Sequence, residues 1–334
     1  MATRDELLQS VANTIADYRK GQIAAPTPKH VELWLNQFPQ NDQAQVLSET
    51  THVLKSTYIG RETAKVFING LIANQKLAGE EPKSFWKDAN FLSIQRDGDS
   101  QADLLKLFNE SLGQFGFTTE QCGGGDKFIY LDDVIFTGGR AGNDLEPWIR
   151  QTAPNTAIVH IVVMAVHEFG AWKMGERLKK AATECGKNIT IHVWRSVTLE
   201  NRMKYKNNAD VLWPTSLPEE AKEYTIGKFP FVARAIGGTN KIFSGEANRS
   251  ALEQALVRAG MRIRGFSQNP TSALRPLGFG PFGVGFGSTI VTYRNCPNNT
   301  PLAFWWGDPN AGAGHPFSKW RPLVPRKTYG GAGF

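Results

Sequence analysis

Cysteines and long apolar runs are scarce in this chain of 334 residues. It contains 3 cysteines, none of them in a CxxC pair, which argues against a disulfide scaffold or a zinc site and favours a reducing compartment. No stretch approaches the roughly 18 apolar residues that a membrane helix needs. The first six residues turn acidic where a signal peptide would turn apolar. We therefore expect a soluble, cytoplasmic protein without a membrane partner.

The composition is that of a globular protein with a modest positive charge. Hydrophobic residues make up 41% of the chain, and 38 basic against 31 acidic side chains give a net charge of +7. This length suits one large domain or two ordinary ones. The charge permits an anionic partner, a phosphate compound or a nucleic acid, without requiring one.

The pattern of apolar residues changes twice along the chain. Residues 1–82 show helical spacing and predict a helical region, which either caps another part of the protein or docks a partner. Residues 83–224 alternate short apolar runs with helical patterns and predict an α/β core. Residues 225–334 contain one predicted helix at 244–260, followed by many glycines, prolines and aromatics. We expect a hood-like α+β region there.

The middle region has the pattern of a parallel sheet. The predicted strands cover residues 91–94, 128–131, 157–164 and 189–194, and the predicted helices between them cover 101–114, 144–150 and 170–185. Apolar strands separated by single helices are typical of right-handed βαβ units. The fold class predicted for this core is therefore α/β.

A glycine run near the C-terminus has a structural explanation. Residues 283–287 (GVGFG) precede an alternating, strand-like segment, whereas a phosphate-binding glycine loop must begin a helix. We expect close backbone packing in an antiparallel region instead.

Residues 128–140 (FIYLDDVIFTGGR) have the most specific chemistry in the sequence. Ligands of parallel α/β sheets bind beyond the carboxyl ends of strands, where Asp132 and Asp133 are expected to emerge. Two such carboxylates can accept hydrogen bonds from vicinal ribose hydroxyls or bind Mg²⁺. The segment Thr137-Gly138-Gly139-Arg140 then precedes a predicted helix and suits a terminal phosphate.

This segment resembles the phosphoribosyl-pyrophosphate (PRPP) motif of type I phosphoribosyltransferases. The residues on matching positions are Asp132, Asp133, Thr137, Gly138 and Arg140. Phe136 departs from the pattern, because the family usually has a small residue there. The resemblance implies a type I phosphoribosyltransferase fold, acids that bind the ribose hydroxyls, and a 5-phosphate loop of Thr137, Gly138, Gly139 and Arg140.

A second loop follows the first predicted strand of the core. In the family a loop at this early position binds the pyrophosphate, and the matching residues here are Arg96, Gly98, Ser100 and Gln101. Asp97 and Asp99 add negative charge. Either a bound Mg²⁺ reconciles these acids with a diphosphate, or Asp99 is simply a helix N-cap.

The C-terminal part is similar to one subfamily. Residues 275–280 (RPLGFG), 293–302 (YRNCPNNTPL) and 304–306 (FWW) resemble the signature of phosphoribosyltransferase-like effectors of prokaryotic conflict systems, which include anti-phage retrons. The matching pieces extend from about 85 to 326 and leave the N-terminal helices uncovered. The resemblance implies partners from a defence operon: a reverse transcriptase with its multicopy single-stranded DNA, and a winged-helix protein.

Three functions remain open on the sequence. The favoured one is a toxic enzyme that binds PRPP with Mg²⁺ and transfers ribosyl phosphate to or from an unknown acceptor. The second uses the same pocket to hydrolyse a nucleotide. The third is a non-catalytic scaffold in a nucleoprotein complex.

Histidines near the predicted strands give less specific signals. His160 and His192 lie inside apolar runs, where hydrogen-bonded core histidines are expected. His167 and Glu168 follow the third strand of the core, and they are either an acid/base pair facing the pocket or structural residues.

Overall fold

The computed structural model describes residues 2–95, 100–239, 241–280 and 282–327. The chain forms two compact units, one of residues 61–200 and one that joins residues 1–60 to the chain from residue 201 onward. These boundaries differ from the predicted regions 1–82, 83–224 and 225–334. The difference arises because N-terminal helices pack against a helix distant in sequence, which local apolar patterns do not show.

The chain begins with three helices and a short strand. Their bounds are α1 Arg4–Thr14, α2 Pro28–Leu35, α3 Gln40–Thr57 and β1 Tyr58–Ile59. Thr27 caps α2, because its Oγ1 accepts a hydrogen bond from the backbone N–H of His30 at 3.2 Å, and Pro28 occupies the first turn, where its missing N–H costs nothing. The helical region predicted at the N-terminus is therefore present.

The second unit is built on a parallel sheet. Its elements are α4 Arg61–Ile72, α5 Gln75–Ala78, α6 Pro82–Asp88, β2 Asn90–Phe91, α7 Ser100–Leu112, β3 Lys127–Ile135, α8 Gly139–Gln151, β4 Thr156–His167, α9 Glu168–Glu184, β5 Asn188–Trp194 and β6 Val197–Leu199. The strand order is β2-β3-β4-β5, and β6 pairs with the last part of β4. Every pair is parallel. The predicted α/β class and parallel sheet are confirmed.

The core of this unit lies between one face of the sheet and helices α8 and α9. Tyr130 on β3 and Val159 and Ile161 on β4 are buried there with Leu145 of α8 and Leu178 of α9. These residues alternate along the strands and recur at helical spacing on the helices. The apolar residues whose spacing predicted the strands and helices are thus the ones that pack together in this core.

The C-terminal part has little regular structure. Its elements are α10 Glu246–Arg264, β7 Val291–Thr292 and α11 Leu302–Trp305. Across both units, the 3-10 helices among the described residues are Gly113–Phe115, Thr119–Gln121, Met203–Asn208, Glu219–Thr225 and Pro316–Lys319. Strand β7 pairs with β1 in parallel, so the antiparallel arrangement expected for the glycine-rich stretch is wrong at this pair. None of the described helices combines the length and the apolar content that a membrane span requires.

The glycine run at 283–287 packs against other backbone, as predicted. A Cβ on Gly285 would lie 2.6 Å from the carbonyl oxygen of Gly278, and one on Gly287 would lie 2.0 Å from that of Leu212. Both glycines have positive φ. Side chains are therefore excluded here by both space and backbone conformation.

A close backbone contact fixes the turn between β3 and α8. Gly170, in the first turn of α9, lies so near this turn that a Cβ on it would be 1.8 Å from the carbonyl oxygen of Phe136. Gly138 has φ +72°, and a Cβ on it would lie 2.3 Å from the carbonyl oxygen of Gly170. Two glycines thus allow residues 136–138 to rest directly on α9.

We predict that Gly170→Ala destabilises the protein. The added methyl group must displace the backbone at Phe136, and such overpacking costs about 1–3 kcal/mol of the free energy of unfolding. Gly175→Ala is the matched control, because it lies on the same helix with nothing within 4 Å of the added Cβ, and it should stabilise the helix by about 0.5–1 kcal/mol. Urea denaturation measures both, and equal effects of the two variants would contradict the prediction.

Candidate active site

The two acids lie on β3, at a point where only β4 still pairs with it. Strand β2 follows β3 only as far as the pair Phe91 and Ile129, whereas β4 accompanies β3 to the pair Ile135 and Val166. Asp132 and Asp133 therefore lie within β3, and not beyond its carboxyl end as predicted. Continued pairing with β4 extends the strand, while β2 ends before the acids and the first residues of α7, Ser100 and Gln101, contact β3 there instead.

Asp132 is a buried carboxylate with one oxygen held from two sides. It is 4% exposed, and its Oδ1 accepts hydrogen bonds from Ser100 Oγ and from the backbone N–H of Asp133, both at 2.8 Å. Within the described ranges, Oδ2 has no hydrogen-bond partner. Burial is the main reason why the pKa of Asp132 is raised, to about 6, and the charge of Asp133 adds to it. Arg140 and the two hydrogen bonds oppose this rise.

Asp133 is half-buried and follows Asp132 on the strand. Neighbouring side chains of a strand point to opposite faces, so the two carboxylates offer separate ligand positions. Mg²⁺ typically uses one or two carboxylates and completes its shell with substrate phosphates and water. Either carboxylate can serve as such a ligand. No cluster of three or more potential metal ligands occurs among the residues that the structure describes.

The segment from Thr137 to Arg140 forms the turn into α8. Gly138 is the N-cap residue of α8, and the N–H of Gly139 donates to Thr137 Oγ1 at 3.3 Å. Arg140 is exposed and has no ion-pair partner in the described part of the chain. A helix N-terminus with a free cation and small residues suits an anionic group such as a phosphate.

Helix α8 is fixed to β3 beneath this turn. The Tyr130 hydroxyl donates to Asp144 Oδ2 at 2.8 Å, and both residues are buried. Since Tyr130 precedes Asp132 by two residues and Asp144 follows Arg140 by one helical turn, this bond fixes the turn at residues 137–140 relative to the acids.

The residues predicted to bind pyrophosphate divide into three groups. Arg96 and Gly98 lie outside the described residues. Ser100 is buried and contacts Asp132 directly. Gln101 is also buried, and its Oε1 accepts from the backbone N–H groups of Ile94 and Gln95 at 3.0 and 3.1 Å. Its side chain thus has an internal role, while pyrophosphate binding by this loop stays a prediction.

The histidine at the end of β4 is structural. His167 is fully buried, its Nδ1–H donates to the carbonyl oxygen of Ile135 at 3.2 Å, and its ring stacks on Phe136 at 5.1 Å between centroids. Burial lowers its pKa to about 4, so the ring is neutral near pH 7. These contacts favour the structural interpretation over the acid/base pair.

The two histidines on the sheet differ from each other. His160 is a buried, hydrogen-bonded residue, as predicted, and its Nδ1 accepts from Trp194 Nε1 at 2.9 Å. His192 is exposed and stacks on His160, so the core position expected for it is wrong. It lies on β5, whose side chains are exposed or only half-buried.

Sequence reasoning missed the residues that support the site. These are Gln95, Tyr130, Asp144 and Gly170. The contact between Tyr130 and Asp144 could not be predicted, because it depends on which face of α8 packs against β3. The sequence shows a glutamine at each end of the segment between β2 and α7, Gln95 and Gln101. Their hydrogen bonds to each other depend on the conformation of the chain between them.

We predict that Asp132→Asn stabilises the protein at pH 7. The raised pKa means that the folded state binds this proton more tightly than the unfolded chain, so the free energy of unfolding falls as pH rises from about 4 to 6. Removing the buried charge should therefore increase it by about 1–3 kcal/mol at pH 7 and change it little at pH 4.

Urea denaturation in metal-free buffer at both pH values measures this effect. Asp126→Asn is the control, because that side chain is 60% exposed just before the same strand. A variant that is less stable than the wild type at pH 7, or equally stabilised at both pH values, would refute the prediction.

Comparison with known proteins gives one family. The family model described as PRTase-CE matches residues 31–326, while no curated protein matches the chain. The match starts inside α2, so the similarity is not limited to residues from about 85, and the expectation that the N-terminal helices lie outside it is wrong for most of them. A match over nearly the whole chain shows that the protein belongs to the PRTase-CE family of phosphoribosyltransferase-like effectors.

Proposed function

We propose that this protein binds PRPP with Mg²⁺ and transfers ribosyl phosphate to or from an acceptor, as a toxic effector of an anti-phage defence system. One observation supports this proposal above all. A buried carboxylate, Asp132, lies on β3 beyond the last residue paired with β2 and has one oxygen without a partner in the described ranges. The same strand leads into a helix N-terminus with the exposed cation Arg140. This order of groups matches a sugar with a terminal phosphate.

The two parts of the site would act on different parts of the ligand. The carboxylates of Asp132 and Asp133 accept hydrogen bonds from the ribose hydroxyls. The turn from Thr137 to Arg140 binds the 5-phosphate through backbone N–H groups and the guanidinium. Binding at both ends fixes the sugar and removes the entropy cost of aligning it with the acceptor.

The reaction exchanges the group on C1 of the ribose. The bond between C1 and the pyrophosphate oxygen breaks as a nitrogen atom of the acceptor bonds to C1, and that nitrogen loses its proton to solvent. Positive charge develops on the sugar in the transition state, and the buried carboxylate stabilises it at short range. His167 takes no part, because it is fully buried and neutral.

The residues that would hold Mg²⁺ are Asp132 and Asp133. When bound, the ion would neutralise charge on the departing pyrophosphate. The carboxylates hold a cation, and accept ligand hydroxyls through both oxygens, when they are ionised. The raised pKa of Asp132 makes that ionisation costly in the free protein.

The proposed role in defence rests on the resemblance of the C-terminal part. The match includes the C-terminal stretch with residues 275–306, which resembles the signature of conflict-system effectors. The proposed partners are a reverse transcriptase with its single-stranded DNA and a winged-helix protein. The proposed setting is the cytoplasm, in agreement with three free cysteines.

We predict that Asp132→Ala combined with Asp133→Ala abolishes PRPP binding. Both ligand carboxylates are lost, and the Mg²⁺ position is lost with them. Calorimetric titration of PRPP with Mg²⁺ measures the effect, beside Asp126→Ala as a control just before the same strand. The wild type and the control should bind, and the double variant should not.

The same titration tests the alternatives. Equal binding by the double variant would contradict the proposed site. If the wild type binds PRPP, product analysis separates transfer from hydrolysis, because hydrolysis needs no organic acceptor. If PRPP does not bind even in the presence of the proposed partners, the scaffold function is favoured.

We also predict that Arg140→Ala weakens the binding of ribose 5-phosphate by about tenfold or more, since a hydrogen bond between charged groups contributes roughly 1.5–3 kcal/mol. Arg140→Lys should recover part of the affinity, because lysine keeps the charge without the two-pronged geometry. Arg150→Ala, on the same helix, removes a surface ion pair with Glu184 and should not change the affinity. Calorimetry measures all three, and an unchanged affinity of Arg140→Ala would place the 5-phosphate elsewhere.

A further inference from the structure

Ser100 is the central member of a hydrogen-bond chain that ends at Asp132. Gln95 Nε2 donates to Ser100 Oγ at 2.6 Å, and Ser100 Oγ donates to Asp132 Oδ1 at 2.8 Å. Gln95 is itself held by Gln101, whose backbone N–H donates to Gln95 Oε1 at 3.0 Å. The backbone N–H of Gln95 in turn donates to Gln101 Oε1 at 3.1 Å.

The direction of every bond in this chain is fixed. A backbone N–H can only donate, so Gln95 Oε1 must be the acceptor and its amide nitrogen must face Ser100. That amide nitrogen can only donate, so the Ser100 hydroxyl accepts there and has its own proton left for Asp132. Ser100 therefore always presents a donor to Asp132 Oδ1.

Two donors then fix the orientation of the carboxylate. Oδ1 accepts from Ser100 Oγ and from the N–H of Asp133, both at 2.8 Å. The plane of the carboxylate is set by these bonds, and Oδ2 is the oxygen left for a ligand. Ser100 is 3% exposed and Asp132 4%, so water competes little for either bond.

We propose that Ser100 is a positioning residue, which turns Asp132 so that Oδ2 meets the 2-hydroxyl group of the bound sugar. This inference rests on the proposed function, because it assumes a ribose 5-phosphate group in the site. Ser100 would thus help the site to select a sugar that carries a 2-hydroxyl group. The sequence had suggested a direct contact between Ser100 and pyrophosphate instead.

The test compares ribose 5-phosphate with 2-deoxyribose 5-phosphate, each titrated with Mg²⁺ by calorimetry. A hydrogen bond to a charged acceptor contributes roughly 1.5–3 kcal/mol, so the wild type should prefer the ribose compound by about tenfold or more. In Ser100→Ala we expect this preference to fall to about threefold or less. A purely structural role would weaken both ligands equally and leave their ratio unchanged.

Three variants control the experiment. Ser111→Ala is the matched control, since Ser111 is a buried serine of the same helix whose Oγ donates to Asn69 Oδ1 at 2.6 Å, and it should keep the wild-type ratio. Ser100→Thr retains a hydroxyl and should also keep it. Gln95→Glu replaces the donating amide by an acceptor that draws the Ser100 proton away from Asp132, so it should lose the preference although the hydroxyl remains.

The outcomes separate this inference from the proposed function. A wild-type preference that is lost in Ser100→Ala and Gln95→Glu, and kept in the controls, supports the inference. A preference that Ser100→Ala retains overturns it and leaves the proposed function standing. If the wild type binds neither sugar phosphate, or binds both equally, the proposed site and this inference fall together. Should Ser100→Ala not fold, Gln95→Glu decides alone by the same ratio.

Discussion

The site depends on the unequal pairing of β3. Its bonds to β4 continue to Ile135, while those to β2 end near Ile129. On the side of β2, the N-terminus of α7 takes over beside the acids, because Ser100 Oγ donates to Asp132 Oδ1 and Gln101 Nε2 donates to the carbonyl oxygen of Leu131. A side-chain hydroxyl therefore reaches a carboxylate at a point where a paired strand would offer only backbone groups. Two further contacts, between Tyr130 and Asp144 and between Gly170 and Phe136, fix the turn at residues 137–140 relative to the acids.

Burial of Asp132 opposes stability and favours function. The carboxylate is destabilised by loss of water and by the nearby charge of Asp133, and the hydrogen bonds from Ser100 and Asp133 offset part of this cost. A cation, or the positive charge of a sugar transition state, would offset the rest. A buried carboxylate whose pKa is raised in this way commonly marks a functional site.

The parallel sheet and the acid-to-loop motif were predictable, whereas the contacts that organise them were not. Strands such as 157–164 and helices such as 170–185 follow from local apolar periodicity, and the structure has them as β4 and α9. The placement of the acids inside β3 depends on where β2 ends, which local pattern does not determine. The roles of Ser100 and Gln101 likewise depend on which backbone groups surround them. The burial of His167 was one of two alternatives that the sequence left open.

The N-terminal helices show why domain boundaries were the least predictable feature. Helix α3 packs on α10, about two hundred residues later, and polar bonds reinforce that contact. Glu49 is buried and accepts from the backbone N–H of Ser244 at 2.9 Å and from its hydroxyl, and Asp42 pairs with Arg258 at 3.0 Å. A buried glutamate would destabilise a free helical region, because its charge would lose these partners. The first helices therefore complete the C-terminal part of the fold, which agrees with a family match that begins at residue 31.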